Sequence, residues 1–408
     1  MEVRDKFKLA SLIVGFAPLA LFSHLYSMSI LKEVEAPDQA IALYSGNGTA
    51  LATLSLVRFF EVARKSDHLD QKGSLTQDSA RATAMVRFVQ AASATADLAR
   101  RAYVIEPLSP KAHAVLALAE NEPALRKQII DATTSLNHRQ LALQGLLLDK
   151  HISDQNYQGS IETIDQILRV HPNVSDKFFP ILVKLLAIRE TLPQFVDLFE
   201  TPMPWRKQFL SYAVNDKRAI VNLAALRIKI ALEDDAFDKL LIFGLAEQGE
   251  YLEARTVYET VRGARADNKA RWLADYPPFE WRLTSERGMR AFVTEDGSAL
   301  RIEVSPGEGG VVASRMLDPT GKSFKVQIVH TLDDVAYQDS VKIQLACNGA
   351  LPPFFEKTVT KRKEEFLVAN FQNRCSPIVI RITARAWSDS RPLTGEILSL
   401  SLAPSPID

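Results

Sequence analysis

The chain has 408 residues, of which 47% are hydrophobic and 24% charged, and its 49 basic residues balance 49 acidic ones. This is the composition of a folded protein and, at about 100–200 residues per domain, it predicts two or three domains. A chain without basic excess lacks the phosphate-neutralising charge on which dedicated nucleic-acid binders depend, so we expect no nucleic-acid partner. Its two cysteines exclude a cysteine-rich zinc fold.

The N-terminal residues predict a membrane anchor. Residues 1–8 carry three basic side chains, and residues 9–31 contain no Asp, Glu, Lys or Arg. A helix of that length extends about 34 Å, enough to cross a hydrocarbon core of about 30 Å. Because the basic flank precedes the apolar run, the positive-inside rule places residues 1–8 in the cytoplasm. We therefore expect a single-pass protein of the inner membrane with the bulk of its chain in the periplasm.

Two other interpretations of the N-terminal segment stay open. Residues 9–22 are also typical of the apolar part of a cleaved signal peptide, although no small-x-small cleavage site follows Phe22. A cleaved signal would equally send the chain out of the cytoplasm. The third interpretation is a buried core helix, which would not.

Residues 32–270 predict a helical domain. Apolar residues recur at helical spacing in 51–64 and 219–232, and residues 79–103 are rich in alanine without glycine or proline. The motifs A-x-x-A-Y-x-x-x-P at 99–107 and G-x-Y-x-x-A-x-x-x-Y at 249–258 resemble tetratricopeptide-type helical hairpins. We predict a tetratricopeptide-like α-solenoid that binds an envelope protein partner. An irregular helical domain without true repeats is the alternative.

Residues 271–288 form a junction to a different pattern. The segment DYPPFEWRL ends the helical spacing, and apolar and polar residues then alternate in the runs 324–328, 341–347, 378–386 and 396–402. Turn-rich segments separate these runs. Short strands with one apolar face predict an antiparallel β-sandwich over residues 289–408.

Both cysteines, Cys347 and Cys375, fall in this terminal domain. In an oxidising compartment we expect them to form a disulfide. The bridge would close a loop of about 29 residues and add roughly 3–4 kcal/mol of stability in the chain-entropy model. Two buried free thiols are the alternative.

The chain as a whole resembles a group of membrane-anchored alphaproteobacterial proteins, some of them associated with exopolysaccharide export. The resemblance rests on the basic-flanked anchor, the helical motifs, the junction PPFEWRL at 277–283, and the C-x-G and N-x-C elements at Cys347 and Cys375. The terminal domain resembles jelly-roll carbohydrate-binding modules of the galactose-binding type. The resemblance implies work in the synthesis, export or assembly of a cell-surface polysaccharide.

One strand carries candidate carbohydrate-binding residues. Arg381, Arg385 and Trp387 fall on the outward face of 378–387, and Tyr337 is a further aromatic candidate. An indole face stacks against sugar C–H groups, and arginine binds hydroxyl or acidic groups through two N–H donors. The alternative is that Trp387 packs against a loop or the helical domain while the arginines are solvated.

No catalytic or metal-binding motif occurs in the sequence. The seven histidines are isolated, and neither a G-x-S-x-G elbow nor a complete P-loop is present. We therefore expect a non-enzymatic adaptor with no cofactor and no metal. An envelope scaffold that binds no sugar is the alternative. A glycan-active enzyme is a third class, because its two carboxylates can come from distant positions in the chain.

Overall fold

The computed structural model describes residues 20–67, 77–263, 272–317, 323–333, 339–347, 352–369 and 377–404. The chain divides into two compact units, Met1–Phe178 and Phe179–Asp408. Helices make up the described part of the first unit. The second unit combines helices with a β-sandwich. The sequence predicted other bounds, with a junction at 271–288 between the helical domain and the sandwich. Those bounds stay a prediction.

Residues 20–32 form helix α1 in the first unit. Among the residues that the structure describes, no helix has the length and apolar character needed to cross a membrane. Residues 9–19 of the predicted anchor lie outside the described residues, so the anchor stays a prediction. The following helices are α2 (Pro37–Leu43), α3 (Gly48–Asp67), α4 (Gln77–Ile105), α5 (Pro110–Ala119), α6 (Pro123–Leu136), α7 (Leu141–Ser153) and α8 (Tyr157–Val170).

Successive helices of the first unit pack against each other. Helix α3 contacts α4 and α5, α5 contacts α6 and α7, and α7 contacts α8. Alanines fill several of the contacts, and those that are fully buried include Ala52, Ala91, Ala99, Ala102 and Ala112. Small side chains let helix axes approach closely, and packing between sequence neighbours is typical of helical repeats. The tetratricopeptide-like period itself stays a prediction.

The helices of the second unit precede its sandwich. They are α9 (Ser175–Leu186), which begins just before the unit boundary, α10 (Leu192–Glu200), α11 (Arg206–Ala213), α12 (Ile220–Lys229), α13 (Asp235–Glu247) and α14 (Tyr251–Arg262). A buried ion pair joins α12 to α13, because Arg227 Nε and Nη2 donate to the two carboxylate oxygens of Asp238 at 2.6 and 2.9 Å. Such a bidentate pair fixes the geometry of the two helices as well as satisfying both charges.

Two antiparallel sheets form the sandwich, as the sequence predicted. The strands are β1 (Arg282–Leu283), β2 (Ser285–Glu286), β3 (Met289–Val293), β4 (Leu300–Val304), β5 (Gly309–Leu317), β6 (Ser323–His330), β7 (Val341–Cys347), β8 (Phe355–Thr358), β9 (Lys363–Ala369), β10 (Ile378–Arg385) and β11 (Leu393–Pro404). One sheet has the order β1-β5-β10-β7-β8 and the other β2-β3-β4-β11-β6-β9. Alternate residues of β7 and β10 are fully buried between the sheets, among them Val341, Ile343, Ile380 and Ile382. Their neighbours face outward and carry the candidate site.

Candidate functional site

The outer face of the five-stranded sheet carries a row of polar side chains at one register. Arg282 of β1 pairs with Ser314 of β5, and Ser314 pairs in turn with Arg381 of β10. Arg381 also pairs with Gln344 of β7. Because directly paired residues of neighbouring strands share a face, these side chains stand next to one another. Two arginines therefore flank one serine across three adjacent strands.

A cavity of about 170 Å³ lies over this row. The sheet side of its lining carries the arginines and Ser314 together with the apolar Met316 and Val379, whereas the side formed by α13 and the junction is largely apolar. Its lining includes Phe243, Pro277, Pro278, Arg282, Ser314 and Arg381. The arginines are accessible from this space, since Arg282 is exposed and Arg381 is half-buried. The cavity can therefore receive a small ligand that has both a charged and an apolar side.

Carboxylates balance the basic charge of this cavity only in part. Three arginines line it, Arg282, Arg315 and Arg381, and none of them forms an ion pair with a carboxylate in the described ranges. The carboxylate of Glu247 also contributes to the lining, but this residue is exposed to solvent. An exposed carboxylate without an ion-pair partner does little to offset the guanidinium groups of Arg282 and Arg381, whereas Arg315 is stabilised by the charge of buried Glu280. The site is thus suited to an anion.

Arg282 and Arg315 are held by different contacts, and the buried carboxylate of Glu280 acts electrostatically on Arg315. Arg315 Nε donates to the backbone carbonyl oxygen of Phe279 at 2.8 Å. Burial lowers the pKa of Arg315, because a desolvated guanidinium is less stable in its charged form. The guanidinium carbon of Arg282 lies 5.7 Å from the ring centroid of Phe243, which is within cation–π range.

A buried carboxylate fixes the junction that forms one wall of the cavity. Glu280 is 1% exposed and accepts hydrogen bonds from the backbone N–H groups of Asp275 and Tyr276 at 2.7 and 3.0 Å. It also accepts one from Arg262 Nε of α14 at 2.9 Å. Glu280 therefore stabilises the junction through hydrogen bonds within the junction and through a hydrogen bond to helix α14. Because Pro277 and Pro278 lie inside this loop, their position against the sheet depends on Glu280.

A second contact supports the junction from α13. The hydroxyl of Tyr276 donates to Asp235 Oδ1 at 3.1 Å. Burial, together with this hydrogen bond, raises the pKa of Tyr276 to about 12, so the hydroxyl keeps its proton at neutral pH. The guanidinium of Arg262 lies 4.6 Å from the Tyr276 ring centroid. The ring thus links the junction to two helices.

The structure separates the predicted carbohydrate-binding residues into two places. Arg381 lies in the cavity, whereas Arg385 is exposed near the other end of β10, about 13 Å along the strand. The guanidinium carbon of Arg385 is 4.8 Å from the ring centroid of Trp387, which is half-buried just beyond the strand. Tyr337 lies outside the described residues.

Of the two cysteines of the predicted disulfide, Cys347 is among the residues that the structure describes. Cys347 is the last residue of β7 and carries no free thiol. Cys375 lies outside the described residues, so the pairing of these two cysteines stays a prediction.

Sequence reasoning did not find Arg282, Ser314 or Arg315 as site residues. Arg282 stands in the PPFEWRL junction, but nothing in that segment shows that it pairs with β5. The sequence of β5, GGVVASRML, does not show which of its residues face outward. The register between β5 and β10 shifts at Ile382 and Thr383. Such a bulge shifts the alternation by one residue, so period-two analysis fails there.

Comparisons with known proteins give partial likenesses. No family model and no curated protein matches the chain. Among solved structures, the carbohydrate-binding module TmCBM61 in complex with beta-1,4-galactotriose has 14% identity and a TM-score of 0.23, covering 33% of this chain and 99% of the module. The structure of accessory secretory protein 1, 2 and 3 from Streptococcus pneumoniae has 10% identity and a TM-score of 0.23, covering 33% of this chain and 94% of that one.

Proposed function

We propose that this protein is a non-enzymatic adaptor of the cell envelope. In this proposal residues 9–31 anchor it in the inner membrane, its periplasmic helices bind a protein partner, and its β-sandwich binds a cell-surface polysaccharide during synthesis, export or assembly. The observation that carries the sugar-binding part is the stacked pair of Arg385 and Trp387 at the end of β10.

The stacked pair combines the two side-chain types that bind sugars best. The guanidinium of Arg385 covers one face of the indole, so a sugar would contact the edge or the other face of the ring through its C–H groups. The guanidinium N–H groups would donate to hydroxyl or acidic groups of the same sugar. Stacking also limits the rotamers of Arg385, so less entropy is lost when a ligand binds. The pair therefore favours recognition of an extended glycan on the sheet surface.

Gly309 makes room for this arrangement. It pairs with Arg385 across β5 and β10, and a Cβ at position 309 would lie 2.8 Å from the Cβ of Arg385. A larger residue would have to displace the Arg385 side chain, because contacts this short do not occur between real Cβ atoms. The glycine thus supports the position of Arg385 over Trp387.

Affinity electrophoresis of the purified full-length chain tests the sugar-binding part. The gel would contain the surface polysaccharide of the producing cell. We expect the polysaccharide to retard the wild-type chain and the Trp387→Ala variant to lose at least half of that retardation. Arg290→Gln is the control, because Arg290 is an exposed arginine on the opposite sheet. Equal retardation of wild type and Trp387→Ala would contradict the proposal.

Exposed apolar side chains on the first unit support the protein-binding part. Val104 near the end of α4 is 78% exposed and Leu108 just after it is 73% exposed, next to Tyr103. Neighbouring exposed apolar groups mark interaction surfaces more often than isolated ones do. We expect the double variant Val104→Glu, Leu108→Glu to stay folded and to lose a partner that crosslinks to the wild-type chain in membranes.

An envelope scaffold that binds no sugar is the second candidate function, and the exposed side chains of α4 favour it equally. The two functions differ in one outcome. A scaffold would keep the crosslinked partner and show no retardation by polysaccharide.

A further inference from the structure

We infer that the cavity over the five-stranded sheet binds the carboxylate of an acidic sugar, held between Arg282 and Arg381 with Ser314 between them. The choice of a sugar rests on the proposed function. The anion-binding character of the cavity follows from its own residues and can be tested separately.

The strand register gives the geometry of this site. Arg282, Ser314 and Arg381 occupy directly paired positions on β1, β5 and β10. Neighbouring strands are about 4.8 Å apart, so the two arginine Cα atoms are about 10 Å apart with the serine midway. That spacing leaves room for one carboxylate between two guanidinium forks, each of which can donate two hydrogen bonds. The serine hydroxyl is a third donor group, below the anion.

The charge balance of the site favours an anion. Arg282 and Arg381 lie together without an ion-pair partner in the portion of the chain that is described, whereas Arg315 is acted on by the buried carboxylate of Glu280. Like charges that share a partly enclosed space repel one another, and low-dielectric walls strengthen the repulsion. A bound carboxylate would relieve this repulsion. Glu247 at the lining is exposed, so solvent screening keeps its carboxylate from cancelling the charges of Arg282 and Arg381.

The apolar wall favours an acid that carries a sugar ring. Phe243 of α13 and the two prolines of the junction face the arginine row. Ring C–H groups of a saccharide pack against aromatic and proline surfaces, which an inorganic phosphate has no means of using. A hexuronate presents a carboxylate on one side and C–H groups on the other, and thus matches both sides of the cavity.

Calorimetric titration of the purified full-length chain tests this inference. Three probes are compared at low ionic strength: sodium glucuronate, glucose and inorganic phosphate. We expect saturable binding of glucuronate, with glucose at least tenfold weaker. Arg282→Gln and Arg381→Gln are each expected to weaken glucuronate binding at least tenfold. The control Arg290→Gln removes an exposed arginine that also pairs with a serine, Ser285, and should bind as the wild type does.

A variant that adds a carboxylate provides a second test in case the arginine variants fail to fold. Ser314→Asp would place a negative charge between Arg282 and Arg381, where it pairs with both. We expect it to abolish glucuronate binding while the tryptophan fluorescence of the folded chain is retained. Loss of binding in this variant together with either arginine variant supports the site.

Three outcomes would overturn the inference. The first is no glucuronate binding to the folded wild-type chain, and the second is binding that the cavity variants leave unchanged. The third is phosphate binding without glucuronate binding, which would make the cavity a phosphate site. The proposed function fails in a different way, because glucuronate binding without polysaccharide retardation would refute polysaccharide recognition and leave the cavity assignment standing.

Discussion

Replacement of Glu280 by alanine is expected to destabilise the second unit by about 3–5 kcal/mol, because a buried carboxylate is lost together with the hydrogen bonds that it accepts. Glu280 is 1% exposed. Its carboxylate accepts hydrogen bonds from Arg262, the hydroxyl of Tyr258, and the backbone N–H groups of Asp275 and Tyr276. Each buried donor that the substitution leaves without a partner costs about 1–3 kcal/mol. Water that enters the vacated space would compensate part of this cost.

The exposed carboxylate of Asp275 provides a matched control. It contacts the same guanidinium as Glu280, since Arg262 Nη2 lies 2.8 Å from Asp275 Oδ2. Its side chain is 62% exposed, however, and exposed ion pairs contribute at most about 1 kcal/mol. Asp275→Asn should therefore lower the free energy of unfolding far less than Glu280→Ala does. The comparison sets a buried carboxylate with several donors against an exposed carboxylate, and the cation is common to both pairs.

Urea unfolding followed by tryptophan fluorescence measures this difference. The four tryptophans, Trp205, Trp272, Trp281 and Trp387, all lie in the second unit, so their fluorescence reports that unit. The ring centroids of Trp272 and Trp281 lie 5.1 Å apart, with the rings tilted by 37°, in the sandwich core beside the junction. A loss below about 1 kcal/mol for Glu280→Ala, equal to that of Asp275→Asn, would refute the argument that a buried carboxylate holds the junction.

Three further predictions follow from buried or bridged groups. Asp238→Ala strands the buried guanidinium of Arg227 and should cost roughly 3–5 kcal/mol by the same urea assay; a loss below about 1 kcal/mol would contradict this. Burial lowers the pKa of His330 below its ordinary 6.5, so its stabilising effect is complete above pH 6.5 and is lost as the pH falls towards the folded-state pKa. His330→Gln should flatten the fall in unfolding free energy below pH 6.5, and an unchanged slope would exclude this histidine as its source. Peptide mapping without reductant should recover Cys347 joined to Cys375, and a free Cys375 thiol would show that the pairing is wrong.

Local pattern was enough to predict the elements. Alanine-rich helical spacing predicted α4, and alternation predicted β7 and β10, because helix and strand periodicities are properties of neighbouring residues. The change of pattern at the PPFEWRL junction likewise marked where helices give way to strands. These periodicities can be recognised without knowing which elements pack against each other. The two-sheet sandwich followed from them, since strands with one apolar face must cover that face.

The candidate site depended on contacts between distant parts of the chain. The sequence indicated Arg381 as an outward-facing residue, but the partners Arg282 and Ser314 lie on other strands, and strand order is set by tertiary packing. The bulge opposite Ile382 also changes which residues of β5 face Arg381. Register and strand order are therefore decided by burial of the whole core.

Tertiary packing also determines which charged side chains are buried. By composition Glu280 is one of 49 acidic residues, and its neighbours give no sign that it is nearly inaccessible to solvent. The sequence by itself determined the helices, the strands and the apolar faces, because these follow from local spacing. Only the tertiary structure determined which charges are buried, paired or left facing a cavity, because a charge's environment depends on every element that packs around it.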